Sequence, residues 1–162
     1  MGGDNTMKML FRQRLFSWLD SYDVYGEDGS VLFVVKGALG WKHCLKIFTP
    51  DGREAGMVRE RWTWWKPRFD LTAGGRAAGC ITKEITFLRP RFTLDFRHWE
   101  ITGDWLGWNC RIMDGSACVA VITKRLWKLT DTCGIDVVNP DDVPGTLMVV
   151  LAINAVKCSQ RQ

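Results

Sequence analysis

The side chains best suited to catalysis are few and scattered in this sequence. Only two histidines occur, His43 and His98, so a histidine-based metal site would need both of them, with carboxylates or thiols from elsewhere. His43 and Cys44 are neighbours, but adjacent side chains of a strand point to opposite faces, so the two cannot pair as base and nucleophile. We expect a buried Cys44 beside an exposed His43, and no metal site.

The carboxylates occur mostly in turns, where hydrogen bonds to the local backbone account for them. These turn residues are Asp28, Asp51, Asp114, Asp141 and Asp142. The stretch DSYDVYGEDG, from Asp20 to Gly29, has neither the acidic spacing nor the terminal Glu of a calcium loop. No phosphate-binding loop or dinucleotide fingerprint occurs. We therefore predict that the protein has no catalytic residues, binds no cofactor and is not an enzyme.

One basic and aromatic phrase occurs twice. It reads RWTWWKPRFDL from Arg61 to Leu71 and ITFLRPRFTLDF from Ile85 to Phe96. Because proline cannot donate a hydrogen bond to a strand ladder, Pro67 and Pro90 are expected at strand starts or edges. The first interpretation is therefore architectural: the phrase forms a corner between repeat units, and two units turn in the same way.

The second interpretation is a surface that binds an anionic lipid headgroup. Arginine presents a fork of donors that matches phosphate oxygens, and two adjacent corners would bring the bases of both phrases together beside tryptophans. Acidic neighbours, namely Asp70, Glu84 and Asp95, would weaken such a surface. The candidate headgroup residues are Lys66, Arg68, Arg89, Arg91, Trp64 and Trp65.

Two other partner classes use similar side chains. A scaffold for a protein partner would also present exposed tryptophan and arginine, and it stays the main alternative. Binding of a single-stranded nucleic acid needs a longer run of basic residues than a net charge of +4 suggests. We therefore regard a nucleic acid as the less favoured partner. No stretch approaches the ~20 apolar residues of a membrane span. We expect a cytoplasmic protein, with any peripheral attachment at the inner membrane face.

The composition favours one domain that is rich in strands. A chain of 162 residues can bury a sizeable core, and its nine Trp and eight Phe favour strands over helices. Six cysteines without a C-x-x-C spacing indicate buried free thiols in a reducing compartment. Residues 1–6 match a loose myristoylation pattern with Gly2 as acceptor, but we favour a polar leader. The domain is predicted over 7–158, with a tail at 159–162.

A hairpin unit repeats along the chain. The segments EDGSVLFVVKG, PDGREAGMVRE, AGGRAAGCITKE and MDGSACVAVITK each combine a turn signal with a following strand. The turn glycines Gly29, Gly52 and Gly75 are spaced 23 residues apart (52 − 29 and 75 − 52). Between the third and fourth copies, RFTLDFRHWEITGDWLG reads as another strand pair with a longer connection.

Five or six such units give about twelve antiparallel strands, which are expected to close into a barrel because closure removes exposed edges. A barrel of this width needs a filling beyond its own side chains. The C-terminal run from Asn139 to Cys158 supplies one, since it is apolar on all sides from Thr146 to Val156. We predict a mainly β protein: a closed barrel of repeated hairpins with a hydrophobic helix, about 142–156, threading it.

The opening KMLFRQRLFSWLDSYDVYGEDGSVLFVVKG, the repeated hairpins, WEITGDWLGWNCRI and the apolar C-terminal run resemble the LURP-one-related family. That family belongs to the Tubby C-terminal-like superfamily, which also includes the phospholipid scramblases. The resemblance covers about Met7 to Lys157, and it implies a twelve-stranded barrel around a hydrophobic C-terminal helix. Tubby domains bind phosphoinositide headgroups through basic residues, so the resemblance also implies an anionic lipid as a candidate ligand.

Overall fold

The computed structural model describes residues 5–12, 21–38, 44–61, 63–64, 66–84, 91–127 and 130–159. Within these ranges the chain forms twelve strands and one long helix, which confirms the predicted mainly β class. The strands are β1 (Met7–Arg12), β2 (Ser21–Gly26), β3 (Val31–Ala38), β4 (Cys44–Phe48), β5 (Glu54–Arg61), β6 (Arg68–Ala73), β7 (Arg76–Glu84), β8 (Arg91–Asp95), β9 (Trp99–Asp104), β10 (Asn109–Asp114), β11 (Ala117–Trp127) and β12 (Thr130–Val137).

All twelve strands belong to one antiparallel sheet that curls into a nearly closed barrel. The strand order is β8-β7-β6-β5-β4-β3-β2-β1-β12-β11-β10-β9, so the first strand pairs with the last. In that pairing Met9 lies opposite Ile135 and Phe11 lies opposite Cys133, and all four side chains are buried. The first and last strands of the chain are therefore joined. The unpaired seam of the barrel, where no strand ladder is formed, lies between β8 and β9.

The predicted hairpin units are present as β2–β3, β4–β5, β6–β7 and β10–β11. Three of their turn glycines have positive φ, +81° at Gly29, +88° at Gly52 and +74° at Gly75. Residues other than glycine rarely adopt such a φ angle. In the first turn the hydroxyl and N–H of Ser30 donate to Asp28 at 2.6 and 3.0 Å. These bonds keep the pKa of Asp28 below its ordinary value, and they support the turn role assigned to this carboxylate.

The prediction that RFTLDFRHWEITGDWLG forms another strand pair is wrong. Its two strands, β8 and β9, are the two edges of the sheet and do not pair with each other. Their connection is short: Arg97 and His98 between them both have positive φ, +50° and +56°. Aromatic rings fill the seam instead of a backbone ladder. Phe92 meets Trp105 with ring centroids 4.4 Å apart. A second aromatic pair, Phe96 with Trp99, has its centroids 5.1 Å apart; both pairs are edge to face.

The predicted central helix is α1 (Val143–Ser159), entered through a 3-10 turn at Pro140–Asp142. Its described side chains are buried on every face, and residues 147–153 are at most 1% exposed. Seventeen residues give a length of about 25 Å, which suits the interior of a barrel. Gly145 lies so close to the seam that an added Cβ would come within 2.8 Å of Phe96 and 3.0 Å of Trp99.

Candidate anion-binding surface

The corner between β5 and β6 carries the first copy of the doubled phrase. Pro67 directly precedes β6, as predicted, and its carbonyl accepts a hydrogen bond from the N–H of Lys83 on β7 at 3.0 Å. Within the corner, the Thr63 hydroxyl donates to the carbonyl of Lys66. These bonds fix the backbone that presents the side chains of the corner.

Four basic side chains surround this corner on the outer face of the barrel. We call them the basic corner: Arg59, Arg61, Lys66 and Arg68. In the ladder between β5 and β6, Arg61 lies opposite Arg68 and Arg59 lies opposite Asp70. Paired residues share a face of the sheet. Phe69 lies between Arg68 and Asp70 in the sequence, so it points to the opposite face, and it is only 1% exposed. The arginines therefore face outward.

Asp70 is the counter-charge of the basic corner. Its Oδ2 atom lies 2.7 Å from Arg61 Nε, and its Oδ1 atom lies 3.4 Å from Arg68 Nε. The second contact lacks hydrogen-bond geometry: Arg68 Nε is buried and bonds no described group. No described carboxylate pairs with Arg59 or Lys66. Only two of the four bases therefore pair with a carboxylate in the described structure, which leaves an excess of positive charge among them.

Trp64 is the most exposed of the tryptophans whose side chains the structure describes. Its exposed fraction is 96%, whereas Trp99, Trp105 and Trp108 are 3%, 7% and 3% exposed. A large aromatic side chain in water gains free energy when a membrane interface or a partner covers it. Among the described side chains of this corner, Trp64 therefore has the most apolar surface left to bury.

The described structure places three of the six predicted site residues at one corner. Trp64, Lys66 and Arg68 share the β5–β6 corner. Arg91 begins β8, and β7 lies between β6 and β8, so the two strands are about 10 Å apart. The side chain of Arg91, and the whole of Arg89 and Trp65, lie outside the described residues. The predicted union of the two corners therefore stays a prediction.

The three acidic residues near the doubled phrase, Asp70, Glu84 and Asp95, lie in different places. Asp70 pairs with the basic corner, as described, and reduces its charge. Glu84 lies directly opposite Arg91 in the register of the β7–β8 ladder. Asp95 lies opposite Cys80, two strands from Asp70, and is exposed. Of the three, Asp70 alone forms an ion pair with a base of the basic corner within the described structure.

Sequence reasoning missed Arg59 and Arg61 as members of the surface. Arg61 stands at the start of the doubled phrase, and the run VRER places the two arginines two residues apart, on the same face of a strand. Their proximity to Arg68 depends on the register between β5 and β6, which the corner fixes. The spacing VRER on a strand that enters a basic corner is the signal that could have found them.

No group of three or more His, Cys, Asp or Glu side chains is placed to hold a metal within the described ranges. Cys44 is buried, as predicted, and His43 lies outside those ranges. Burial raises the pKa of Cys110 and of Cys133 to about 12, so neither is a thiolate at neutral pH. No helix in the described part of the chain is long and apolar enough to cross a bilayer.

Comparison with known proteins agrees with the architecture. The model of the LURP-one-related family matches residues 7–154. The X-ray structure of a protein from Arabidopsis thaliana is similar over 93% of each chain, with a TM-score of 0.63 and 17% sequence identity. That likeness concerns the fold alone. No functionally curated protein matches the sequence. Since the family model spans all twelve strands and most of the helix, the chain belongs to the LURP-one-related family.

Proposed function

We propose that the protein is a non-catalytic Tubby-like domain that binds an anionic phospholipid headgroup at the inner face of a membrane. One observation carries the proposal: Trp64, 96% exposed, stands at the same corner as four bases, of which only Arg61 and Arg68 pair with a described carboxylate, Asp70. Bases supply attraction to phosphate, and tryptophan supplies an aromatic side chain suited to the headgroup level of a bilayer.

The charges are sufficient for measurable peripheral attachment. A base near an anionic membrane surface contributes on the order of 1 kcal/mol, and this attraction falls off within a Debye length. The four bases of the basic corner, less the carboxylate of Asp70, then support weak and salt-sensitive binding. Arg89 and Arg91 would add to it if the second corner joins the surface, as the doubled phrase predicts.

Vesicle co-sedimentation at low and high salt tests the proposal. The vesicles would contain a phosphoinositide, phosphatidylserine or neutral lipid only. We expect wild type to bind the anionic vesicles at low salt, and to bind them several-fold less when Lys66 and Arg68 are both changed to alanine. Trp64→Ala should weaken binding at both salt concentrations, because its contribution is mainly apolar.

The matched control removes two exposed arginines from other strands, Arg12→Ala with Arg111→Ala, and so changes the net charge equally. Equal loss of binding in both double variants would mean that total charge, not this corner, attracts the membrane. If wild type binds no vesicle at either salt concentration, the proposal is wrong. Exposed Trp64 would then favour the protein-partner alternative, which pull-down with wild type against Trp64→Ala would examine.

A further inference from the structure

Two connections at one end of the barrel each expose a large apolar side chain. Trp64, in the β5–β6 corner, is 96% exposed, and Leu106, in the turn between β9 and β10, is 43% exposed. We infer that Leu106 is a second membrane contact, so that the barrel docks with this end towards the bilayer. The inference rests on the proposed headgroup-binding function and names a further surface that this function uses. We call this end of the barrel the corner end, and the opposite end the hairpin end.

The two connections lie at the same end because neighbouring strands are antiparallel. β6 and β8 both begin at the corner end, and β9 returns to it after the short turn that follows β8. Between β6 and β9 lie only β7, β8 and the seam. At about 4.8 Å per strand, the spacing from the corner to the β9–β10 turn is about 20 Å along the rim. A flat surface can therefore touch both, while Arg12, at the end of β1 and six strands from β7, lies on the far side of the rim.

The β9–β10 turn is anchored from below and presents Leu106 outward. The N–H of Trp108 donates to the carbonyl of Trp105 at 3.3 Å, so Leu106 and Gly107 are the two central residues of the turn. Both tryptophans are buried, and Lys157 at the end of α1 donates to the carbonyl of Leu106. An anchored turn loses little conformational freedom when its exposed side chain contacts a bilayer.

The charges of the two ends decide which of them faces an anionic surface. The connections at the hairpin end carry more carboxylates than arginines: Glu27, Asp28, Asp51, Asp141 and Asp142 against Arg53 and Arg97. Val31 and Val138, which are 37% and 49% exposed, stand at this acidic end. The corner end holds the basic corner, and the β9–β10 turn adds no net charge to it, because Lys157 and Asp104 carry opposite charges there. Within the described ranges, the corner end alone combines exposed apolar side chains with an excess of positive charge.

Vesicle co-sedimentation with phosphatidylserine at low salt tests the inference. Leu106→Asp removes an apolar contact and places a negative charge at the anionic surface, so we expect binding to weaken about five-fold or more. Val138→Asp is the matched control, since it changes the net charge equally at a side chain of similar exposure on the hairpin end. It should bind as wild type does, because that end faces away from the bilayer. Thermal unfolding would establish that both variants are folded at the assay temperature.

A gain of binding keeps the test decisive even if Leu106→Asp folds poorly. Leu106→Trp should bind more tightly than wild type, and Val138→Trp should not, because tryptophan favours the interface of a bilayer. Brominated phosphatidylserine quenches tryptophan fluorescence on contact. It should therefore quench the fluorescence of Leu106→Trp more strongly than that of Val138→Trp.

Equal effects of the substitutions at the two positions, or a loss of binding confined to Val138→Asp, would overturn the inference. Headgroup binding by the basic corner would still stand in that case, provided that changing both Lys66 and Arg68 to alanine weakens binding. If wild type binds no vesicle, the inference and the proposed function are both wrong.

Discussion

Arg97 and Asp142 form an ion pair across 45 positions of sequence, with Nη1 and Oδ1 2.7 Å apart. Arg97 belongs to the turn between the edge strands β8 and β9, and Asp142 lies in the 3-10 turn that leads into α1. The same guanidinium lies over the rings of Phe96 and Trp99, with its carbon 5.5 and 5.7 Å from their centroids. One arginine therefore joins the seam of the barrel to the start of its central helix.

Removing that arginine should destabilise the barrel at its seam. We expect Arg97→Ala to lower the free energy of unfolding by about 1–2 kcal/mol, since an exposed ion pair and a cation–π contact each contribute up to about 1 kcal/mol. Urea denaturation measures the change. Arg53→Ala is the matched control, because the Arg53–Asp51 ion pair stays within one turn. If the two variants lose equal stability, the seam contact has no special role.

Gly145 should not tolerate a side chain. Glycine to alanine within a helix usually stabilises by up to about 1 kcal/mol. Here the new Cβ would lie 2.8 Å from the buried ring of Phe96, and overpacking of this kind costs about 1–3 kcal/mol. We expect net destabilisation in Gly145→Ala, measured by thermal unfolding. Phe96→Leu should lower the free energy of unfolding less in the Gly145→Ala variant than in wild type. Additive losses in the double variant would argue against the clash.

Lys157 should hold the end of α1 against the turn between β9 and β10. It is only 8% exposed, its Nζ donates to the carbonyl of Leu106 at 2.5 Å, and it lies 4.2 Å from the Trp108 ring centroid. Lys157→Ala should cost about 2–3 kcal/mol, since it removes a charge-assisted hydrogen bond and a desolvated cation–π contact. Hydrogen exchange should increase at residues 105–108. Unchanged protection there would show that the turn is held by its tryptophans alone.

The buried thiols should make stability fall in alkaline solution. Burial raises the pKa of Cys110 and Cys133 from near 9.0 to about 12 in the folded protein. The unfolded chain therefore loses these protons first as the pH rises. The contribution of these two thiols to the free energy of unfolding is present in full below pH 9. It is lost between pH 9 and 12, by up to about 1.4 kcal/mol per pH unit for each thiol.

Urea denaturation at pH 8 and pH 10 measures that loss, and the double variant Cys110→Ala with Cys133→Ala separates it from other titrating groups. We expect the double variant to lose less stability than wild type between the two pH values. The matched control is Cys80→Ala, whose thiol is only half-buried. Equal losses in wild type and the double variant would contradict the assignment.

Much of the architecture was predictable because its signals are local. A turn glycine such as Gly29 or Gly52 followed by an alternating strand specifies a hairpin, whatever the rest of the chain does. The run from Thr146 to Val156 is apolar on all sides, so it had to be buried, and a barrel of twelve strands offers the space. Pro67 before β6 followed from the missing N–H of proline.

The tertiary structure decided what depends on register and closure. Arg61 meets Arg68 and Asp70 only because β5 and β6 pair as they do, and a shift by one residue would have turned those side chains to the other face. The seam between β8 and β9 looked like an ordinary strand pair, because sequence adjacency does not reveal which strands end the sheet. The sequence by itself therefore determined a barrel of hairpins around a helix. Contacts between distant residues decided where its charges meet and where the barrel stays unpaired.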